Sequence, residues 1–542
     1  MPAVSVSPTP KLQFFDLNGA PLVGGKLYSY VPGSTTPLAT YTSSTGVTAN
    51  TNPVVLDSRG EANVWLSSAP YKLALYSATD VLIWTVDNLN GPDQATLAAL
   101  AASGGSALIG YQPAGIAAVT TTVQAKLRQV VSVLDFGAVA DGNAGSGAGT
   151  DNTAAFQNAI DFIVSNANLS GALFIPAGIY KISSQISVPA NVYIYGDGGF
   201  QSVLFAPTAF NSDGLVKFNG IGGAPSEIHN VAILGQVGGT GASSIGLNLA
   251  ANGSFGFGIW AQGFQTAIQL ASSSVFLYDS VIDQNQSNAT GLNITSGSTI
   301  ASNIQIYNNY VGVGVSAPFG DGPVTLSNIQ VVQCPYIGIS INTASNVQLD
   351  NCSVGSQVGG SFAFGGIYIA NSSNINISNF IGRLTPTQTS GNAGITSVGS
   401  SKISISNSVI SNFYRGISIQ NGSEISIDNN ICSNNYDIGI YASGADRVII
   451  SSNNCNNNGG GTSNVGIYSD NTAANALHNL VGNICTNLSG GGPQNTGLYI
   501  NLANNGASSG FTNIVGNMVR YNNTNQISLN GLLANINQSG NY

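Results

Sequence analysis

From about residue 172 to the end, apolar side chains alternate with polar ones in short runs of period two, and the runs themselves recur. The tokens GLNIT at Gly291, GISIN at Gly338, GIYIA at Gly366, GITSV at Gly394, GISIQ at Gly416, GIYAS at Gly439, GIYSD at Gly466 and GLYIN at Gly497 return every 22 to 31 residues wherever they are adjacent. Nine residues after five of these glycines a second run begins, VQLDN, INISN, ISISN, ISIDN and VIISS, at Val347, Ile375, Ile403, Ile425 and Val448. Period two excludes an amphipathic helix, and a fixed internal spacing with variable gaps is the mark of a solenoid. The pattern predicts a mainly β chain, a right-handed single-stranded parallel β-helix with one coil per twenty-odd residues. Alternate aliphatic side chains face the inside, each contributing roughly 1.5 to 3 kcal/mol by burial, and coils stack about 4.8 Å apart. Asn351, Asn379, Asn407 and Asn429 share one position of the repeat. They are expected at a bend, where amides of successive coils bond one another.

Upstream the rhythm changes. Residues 11 to 89 alternate apolar strands with Gly, Asn and Pro turns, which predicts a small all-β unit over 1–89. An Ala- and Gly-rich stretch over 90–130 predicts a neck with one or two short helices. Residues 131–200 open the β-helix, and 201–542 form its body. In the opening segment SVLDFGAVAD reads as a strand and Thr150 or Asp151 as a helix N-cap. Ala155, Phe156, Ala159, Ile160 and Ile163 then give that helix one apolar face. Such a helix can cap the open end of a β-helix, where unpaired edge groups invite association.

The segments VSVLDFGAVADG, TDNTAAFQNAID and LFIPAGIYKISSQISVPANVYIYGDGG resemble the opening module of the pectate-lyase-like β-helix superfamily as it occurs in bacteriophage tailspikes. PKLQFFDLNGAPLVGGKLYSY, NPVVLDSRGEANVWL and WTVDNL resemble the N-terminal virion-attachment region of phage tail-fibre and tailspike proteins, and TTVQAKLRQVVSVLDFGA resembles the neck between the two. The resemblance covers about residues 10 to 200 by motif and the remainder by pattern. It implies a homotrimeric receptor-binding spike in the virion, assembled in the host cytoplasm. Such a spike attaches to tail or baseplate proteins through its N-terminal domain and binds a bacterial surface glycan, often cleaving it. The chain departs from the pattern in its NAGSGAG insertion and in ending soon after the last coil, which predicts a very small or absent C-terminal trimerisation domain.

Charge narrows the partners. Only 6% of the residues are charged and the net charge is −9, with 13 Lys and Arg in all. Nucleic acid and anionic membrane surfaces are therefore poor partners. No run suits a signal peptide or a membrane span. Cys334, Cys352, Cys432, Cys455 and Cys485 are odd in number and contain no CxxC pair. They read as small buried residues of a chain made in a reducing compartment, and neither a disulfide framework, a metal site nor a cofactor is expected.

The acid- and glycine-rich stretch DFGAVADGNAGSGAGTDNTAAFQNAI lacks the ligand series of a calcium loop and the Lys of a phosphate cradle, so its acids read as turn and cap residues. A glycosidase needs two carboxylates about 5 to 9.5 Å apart, a span that one or two coils supply. Asp279 and Asp283 in YDSVIDQN are the candidates, with turn capping as the alternative, and Asp321 in FGDGPV reads as a turn residue. Lys402, Glu424 and Arg447 share one repeat position and read as a surface ion-pair column. A β-eliminating lyase needs a base and a cation for a uronate. With two histidines, His229 and His478, and sparse basic residues, it is the less favoured chemistry. Two positions after the repeat glycine stand Tyr368, Tyr441, Tyr468 and Tyr499, the last three on successive coils and predicted to point outward. They suit stacking on sugars or packing between subunits equally. Tyr414 and Asp437 form the neighbouring column. Three functions remain: a virion spike that binds host polysaccharide, an endo-acting depolymerase, or an adaptor that carries other fibres.

Overall fold

A computed structural model describes residues 4–541, apart from 90–93, 167–170, 199, 221–224, 237–238, 284, 286, 319–321, 356–364, 386–392, 471–475, 488–493, 502–510 and 531–535. Asp321 lies outside the described residues. The backbone divides into two compact units, Met1–Gln129 and Val130–Tyr542.

The first unit is an antiparallel β structure. Lys26–Tyr30 lies between Val54–Val55 and Tyr71–Tyr76, and Leu82–Leu89 extends the sheet, while Val4–Gln13 pairs with Glu61–Ser67. Alternation in these strands turns Leu27, Val64, Leu66, Tyr71 and Leu75 into one small core. Helices Gln94–Ala101 and Val123–Leu127 follow, the second capped by the Thr122 hydroxyl, which accepts from the Ala125 N–H.

The second unit is a parallel β-helix with three strands per coil. Sheet I runs through fourteen strands from Ile186–Val188 to Asn525–Asn530. From Gly291 onward every repeat glycine of the sequence is the second residue of one of its strands. The glycine is steric: a Cβ on Gly439 would lie 2.5 Å from the carbonyl oxygen of Gly466 on the next coil. Six of the fourteen strands carry no token: the four earliest, VGVGV at Val311–Val315, and the last, Asn525–Asn530. Ile339, Ile367, Ile395, Ile417, Ile440, Ile467 and Leu498 stack in register along the inside and are fully buried.

Sheet II, from Ala172–Ile175 to Ile536–Ser539, contains the second runs of the sequence. It ends at a left-handed corner where Asn351, Asn379, Asn407 and Asn429 have φ of 52, 54, 52 and 55°. Asparagine tolerates this conformation because its side chain bonds locally. Beyond the corner lies a third sheet of short strands such as Ser353–Gly355, Ile381–Arg383 and Ile431–Ser433. In the coils of Phe276–Asp283, Thr299–Tyr307 and Val324–Val332 one strand bends through the corner and serves both sheets.

The capping helix is Thr153–Ser165, and Phe156, Ala159, Ile160 and Ile163 bury its apolar face in the β-helix core. Its N-cap is Asn152, one residue beyond the predicted Asp151. The Asn152 side chain serves the backbone of Val139 instead, at 2.6 and 3.0 Å. Asp151 supplies the acceptor for the Thr153 N–H at 3.1 Å. Of SVLDFGAVAD, only its first residue lies in a strand, Val131–Ser132. Ser132 and Asp135 form a capping box that coils Val133–Phe136 into a 3₁₀ turn, closed by left-handed Gly137. Asp141 closes the base of the NAGSGAG loop by accepting from the Thr150 N–H and hydroxyl, each at 2.8 Å, and these bonds hold its pKa below the usual carboxylate value.

Candidate functional site

Strand alternation puts Tyr441, Tyr468 and Tyr499 on the outward face of sheet I in direct register. Their rings stack on one another, with centroids 5.1 Å apart for the first pair and 4.9 Å for the second, the latter only 14° from parallel. The Arg415 guanidinium lies 4.1 Å from the Tyr441 ring centroid and closes one end of the stack. The ring faces of Tyr441 and Tyr468 are therefore spent on neighbours, and these two offer edges and phenol hydroxyls to their surroundings. Burial and then the Asp470 carboxylate raise the pKa of Tyr468. Tyr368 occupies the same column three coils earlier, separated from Tyr441 by Thr396 and Ser418.

Two residues further along each strand, Ser443, Asp470, Asn501 and Asn530 form a second outward column. The Ser443 hydroxyl donates to Asp470 at 2.9 Å, the Asn501 amide donates to Asp470 at 3.4 Å, and the Asn530 amide donates to Asn501 at 3.0 Å. On the other flank Tyr414 and Asp437 occupy successive coils, but only the tyrosine reaches the surface. The Asp437 carboxylate is 1% exposed, 3.7 Å from Arg415 Nε, and accepts from the Ser463 N–H at 2.7 Å. It anchors the arginine that caps the ring stack.

The structure holds Asp279 and Asp283 on one strand, Phe276–Asp283. Asp279 sits at the left-handed corner with φ 48° and accepts from the Asn303 amide of the next coil. Asp283 accepts from the Asn308 amide at 2.9 Å. Each thus has a partner in a column of amides. Of the Lys402, Glu424 and Arg447 column, Glu424 and Arg447 pair at 3.0 Å, both about half exposed. His478 is fully buried, between the Ser469 hydroxyl at 2.7 Å and the Ala445 carbonyl at 2.9 Å. Since a carbonyl only accepts, Nε2 bears the proton and Nδ1 accepts from Ser469; burial lowers the imidazole pKa. The five cysteines are free and buried, and burial drives the Cys334 thiol up to about 12. Among the described residues no three His, Cys, Asp or Glu side chains gather as metal ligands.

Sequence reading missed a second constellation, on sheet II of the first coils. Phe174, Tyr195, His229, Phe257 and Tyr278 form one outward column, and Tyr193, Glu227, Phe255 and Phe276 form the next. Phe255 and Phe276 stack at 4.6 Å and 12°, and His229 Nε2 lies 2.7 Å from a Glu227 oxygen. The signal was legible as period-two pairs, YIY, EIH, FGF and FLY, in strands whose coils lack the glycine tokens.

Comparison with known proteins agrees with this fold. Residues 130–340 match the family described as rhamnogalacturonase A/epimerase, pectate lyase-like, and residues 361–541 match the right-handed β-helix region. The tail spike protein of Shigella phage Sf6 is 39% identical over 98 residues, a segment spanning 17% of this chain and 15% of that protein. The solved tailspike of E. coli bacteriophage HK620, in complex with a pentasaccharide, superposes with a TM-score of 0.56 at 15% identity, over 83% of this chain and 86% of that one. The chain carries a pectate-lyase-like parallel β-helix and is similar to phage tailspikes.

Proposed function

We propose that this chain is a tailspike or tail fibre, a virion structural protein that binds a host-surface polysaccharide during adsorption. The observation that carries the reading is the pairing of outward aromatic columns with hydroxyl and amide columns on a body that carries few charges. Sugars present hydroxyls beside apolar C–H patches, and such a surface meets both. The N-terminal β unit is the part that joins the spike to tail or baseplate proteins, and five buried free thiols suit assembly in the reducing host cytoplasm. A homotrimer is supported by a mostly aliphatic column on the third sheet, interrupted by Asn454, where Ile381, Ile431, Ile484 and Met518 are 38 to 52% exposed. Stripes of this kind mark contact surfaces. Purified protein should adsorb to host cells and block infection by the parent phage, and should sediment as a trimer. Lack of adsorption, or a monomer, would sink the proposal.

The family match over residues 130–340 favours a second reading, in which the spike also cleaves the glycan it binds. Carboxylate-based hydrolysis suits this chain better than elimination, because cations that would neutralise a uronate are scarce on the coils. New reducing ends on incubation with host polysaccharide would establish hydrolysis, and an unsaturated uronate absorbance would establish elimination instead.

A further inference from the structure

The polysaccharide reading can be sharpened to a chemical class and a place. We infer that the Tyr441, Tyr468 and Tyr499 face of sheet I takes a glycan built from neutral hexoses or N-acetylhexosamines, and that a uronate-rich or sulfated chain is excluded from it. This rests on the proposal that the chain is a polysaccharide-binding spike.

Charge distribution carries the first step. The unit Met1–Gln129 holds six Lys and Arg against six Asp and Glu, so the whole net charge of −9 belongs to the β-helix unit. A polyanion approaching that unit is repelled at long range. The outward positions give the second step. Across all fourteen strands of sheet I the charged residues are Lys217, Arg415 and Asp470. Lys217 pairs with Asp213 at 2.5 Å. Arg415 is held between Asp437 and the Tyr441 ring. On these described strands no array of cations stands at coil spacing, which recognition of a repeating carboxylate or sulfate requires.

What the face does offer is complementary to uncharged sugar. The tyrosine ladder presents hydroxyls at the coil pitch of about 4.8 Å, close to the length of one hexose. The Ser443, Asp470, Asn501 and Asn530 column runs parallel to it with amide donors, amide acceptors and one carboxylate. The Asp470 carboxylate, already accepting from Ser443 and Asn501, orients those groups within the column and repels another acid. Between the two columns the chain directs Ala442, Ser469 and Ile500 inward. The face is therefore two parallel rows of neutral hydrogen-bonding groups around a single anion.

The test uses the full-length protein and surface polysaccharide extracted from cells to which it adsorbs, with half of the extract carboxyl-reduced. Binding is measured by calorimetry from 0.05 to 0.5 M NaCl. The inference expects equal affinity for both preparations and less than about a twofold change across the salt series, since uncharged contacts are not screened. It expects Tyr468→Ala, which removes the central hydroxyl and the ring on which Tyr441 and Tyr499 both stack, to weaken binding about tenfold or more. Tyr468→Phe retains the stacked ring and reports the hydroxyl alone. Affinity that falls steeply with salt, or is lost on carboxyl reduction, overturns the neutral class and leaves the spike reading intact. Neutral binding that both Tyr468 variants leave unchanged overturns the placement on this face. Failure to adsorb to host cells at all overturns the spike reading itself and this inference with it.

Discussion

Asn429 and Asn430 are adjacent, chemically identical and both members of amide ladders, yet truncating them to alanine should have very different consequences. Asn429 is an exposed corner residue at φ 55° whose amide donates to Asn407 at 2.7 Å. Alanine there loses a solvent-replaceable bond and costs about 1 kcal/mol for the left-handed conformation. Asn430 is 1% exposed. Its oxygen accepts from the Ser408 N–H at 3.0 Å, and its amide donates to the Ile405 carbonyl at 2.9 Å, the Asp428 carbonyl at 3.0 Å and the Asn453 oxygen at 3.0 Å. Asn430→Ala strips the buried Ser408 N–H of this acceptor, takes a donor from two carbonyls and leaves a void. At about 1 to 3 kcal/mol per orphaned group, partly relieved by relaxation, the loss is about 3 to 5 kcal/mol. Stacked coils unfold with large kinetic barriers, so the measure is the unfolding rate at a fixed high temperature, followed by far-ultraviolet circular dichroism. If the ladder opens before the barrier, Asn430→Ala should unfold at least about 30-fold faster than Asn429→Ala, at 1.4 kcal/mol per decade. Asn429→Gly, which relieves the left-handed strain, should match the parent. Rates for the two alanine variants within a factor of about three would refute the claim that buried amide columns hold the coils together.

Three further outcomes follow from the same structure. His478 has its folded pKa depressed by burial below the ordinary imidazole value of about 6.5, so its contribution is intact above that pH and is lost as pH falls through the folded value; the double variant Ser469→Ala, His478→Leu should show a smaller drop in thermal midpoint between pH 7 and pH 5 than the parent, and an equal drop would refute it. Arg415→Ala leaves the 1% exposed Asp437 carboxylate without its cation and should destabilise by about 3 kcal/mol, whereas a double variant Arg415→Ala, Asp437→Asn should recover part of that loss in the same unfolding assay. Glu424→Gln breaks a pair that is about half exposed on both sides and should change stability by no more than about 0.5 to 1 kcal/mol, an effect that disappears in high salt.

The coil repeat was legible because inward Ile and the steric glycine recur at fixed spacing, and both are demanded by the stack. The third sheet was not, because its strands are three residues long and each carries a single inward position, such as Val354, Gly382 or Cys432. A single residue has no period to detect. The outward direction of Tyr441, Tyr468 and Tyr499 followed from alternation, but the loss of their ring faces to one another did not, since side-chain torsions are set by neighbours a coil away. Asp437 read as a surface acid by its place in the repeat. It is buried because the backbone of residues 461–464 folds over it, with Ser463 and Asn464 both directing N–H groups at its carboxylate. Loop closure over a strand end leaves no trace in hydrophobic pattern.

The same stacking bears on which acid could act on a glycan. A solenoid gives an outward residue neighbours one coil above and below, so an Asp placed in an amide or hydroxyl column is satisfied by that column. Asp279 by Asn303, Asp283 by Asn308, Asp350 by Ser378 and Asn379, Asp428 by Ser451 and Asp470 by Ser443 all follow this rule. Glu227 departs from it. Its neighbours along the column are Tyr193 and Phe255, and its hydrogen-bond partner is His229 on its own strand. An acid set between aromatic rings, with an imidazole nitrogen 2.7 Å away, is placed to meet a sugar and is the acid to test first for general acid or base work. If the spike releases reducing ends from host polysaccharide, Glu227→Gln should abolish the release while Asp279→Asn and Asp283→Asn leave most of it. The reverse ranking, with Glu227→Gln active and either aspartate variant dead, would show that an acid already satisfied by its ladder can still do the chemistry, and would return the catalytic assignment to the strand Phe276–Asp283.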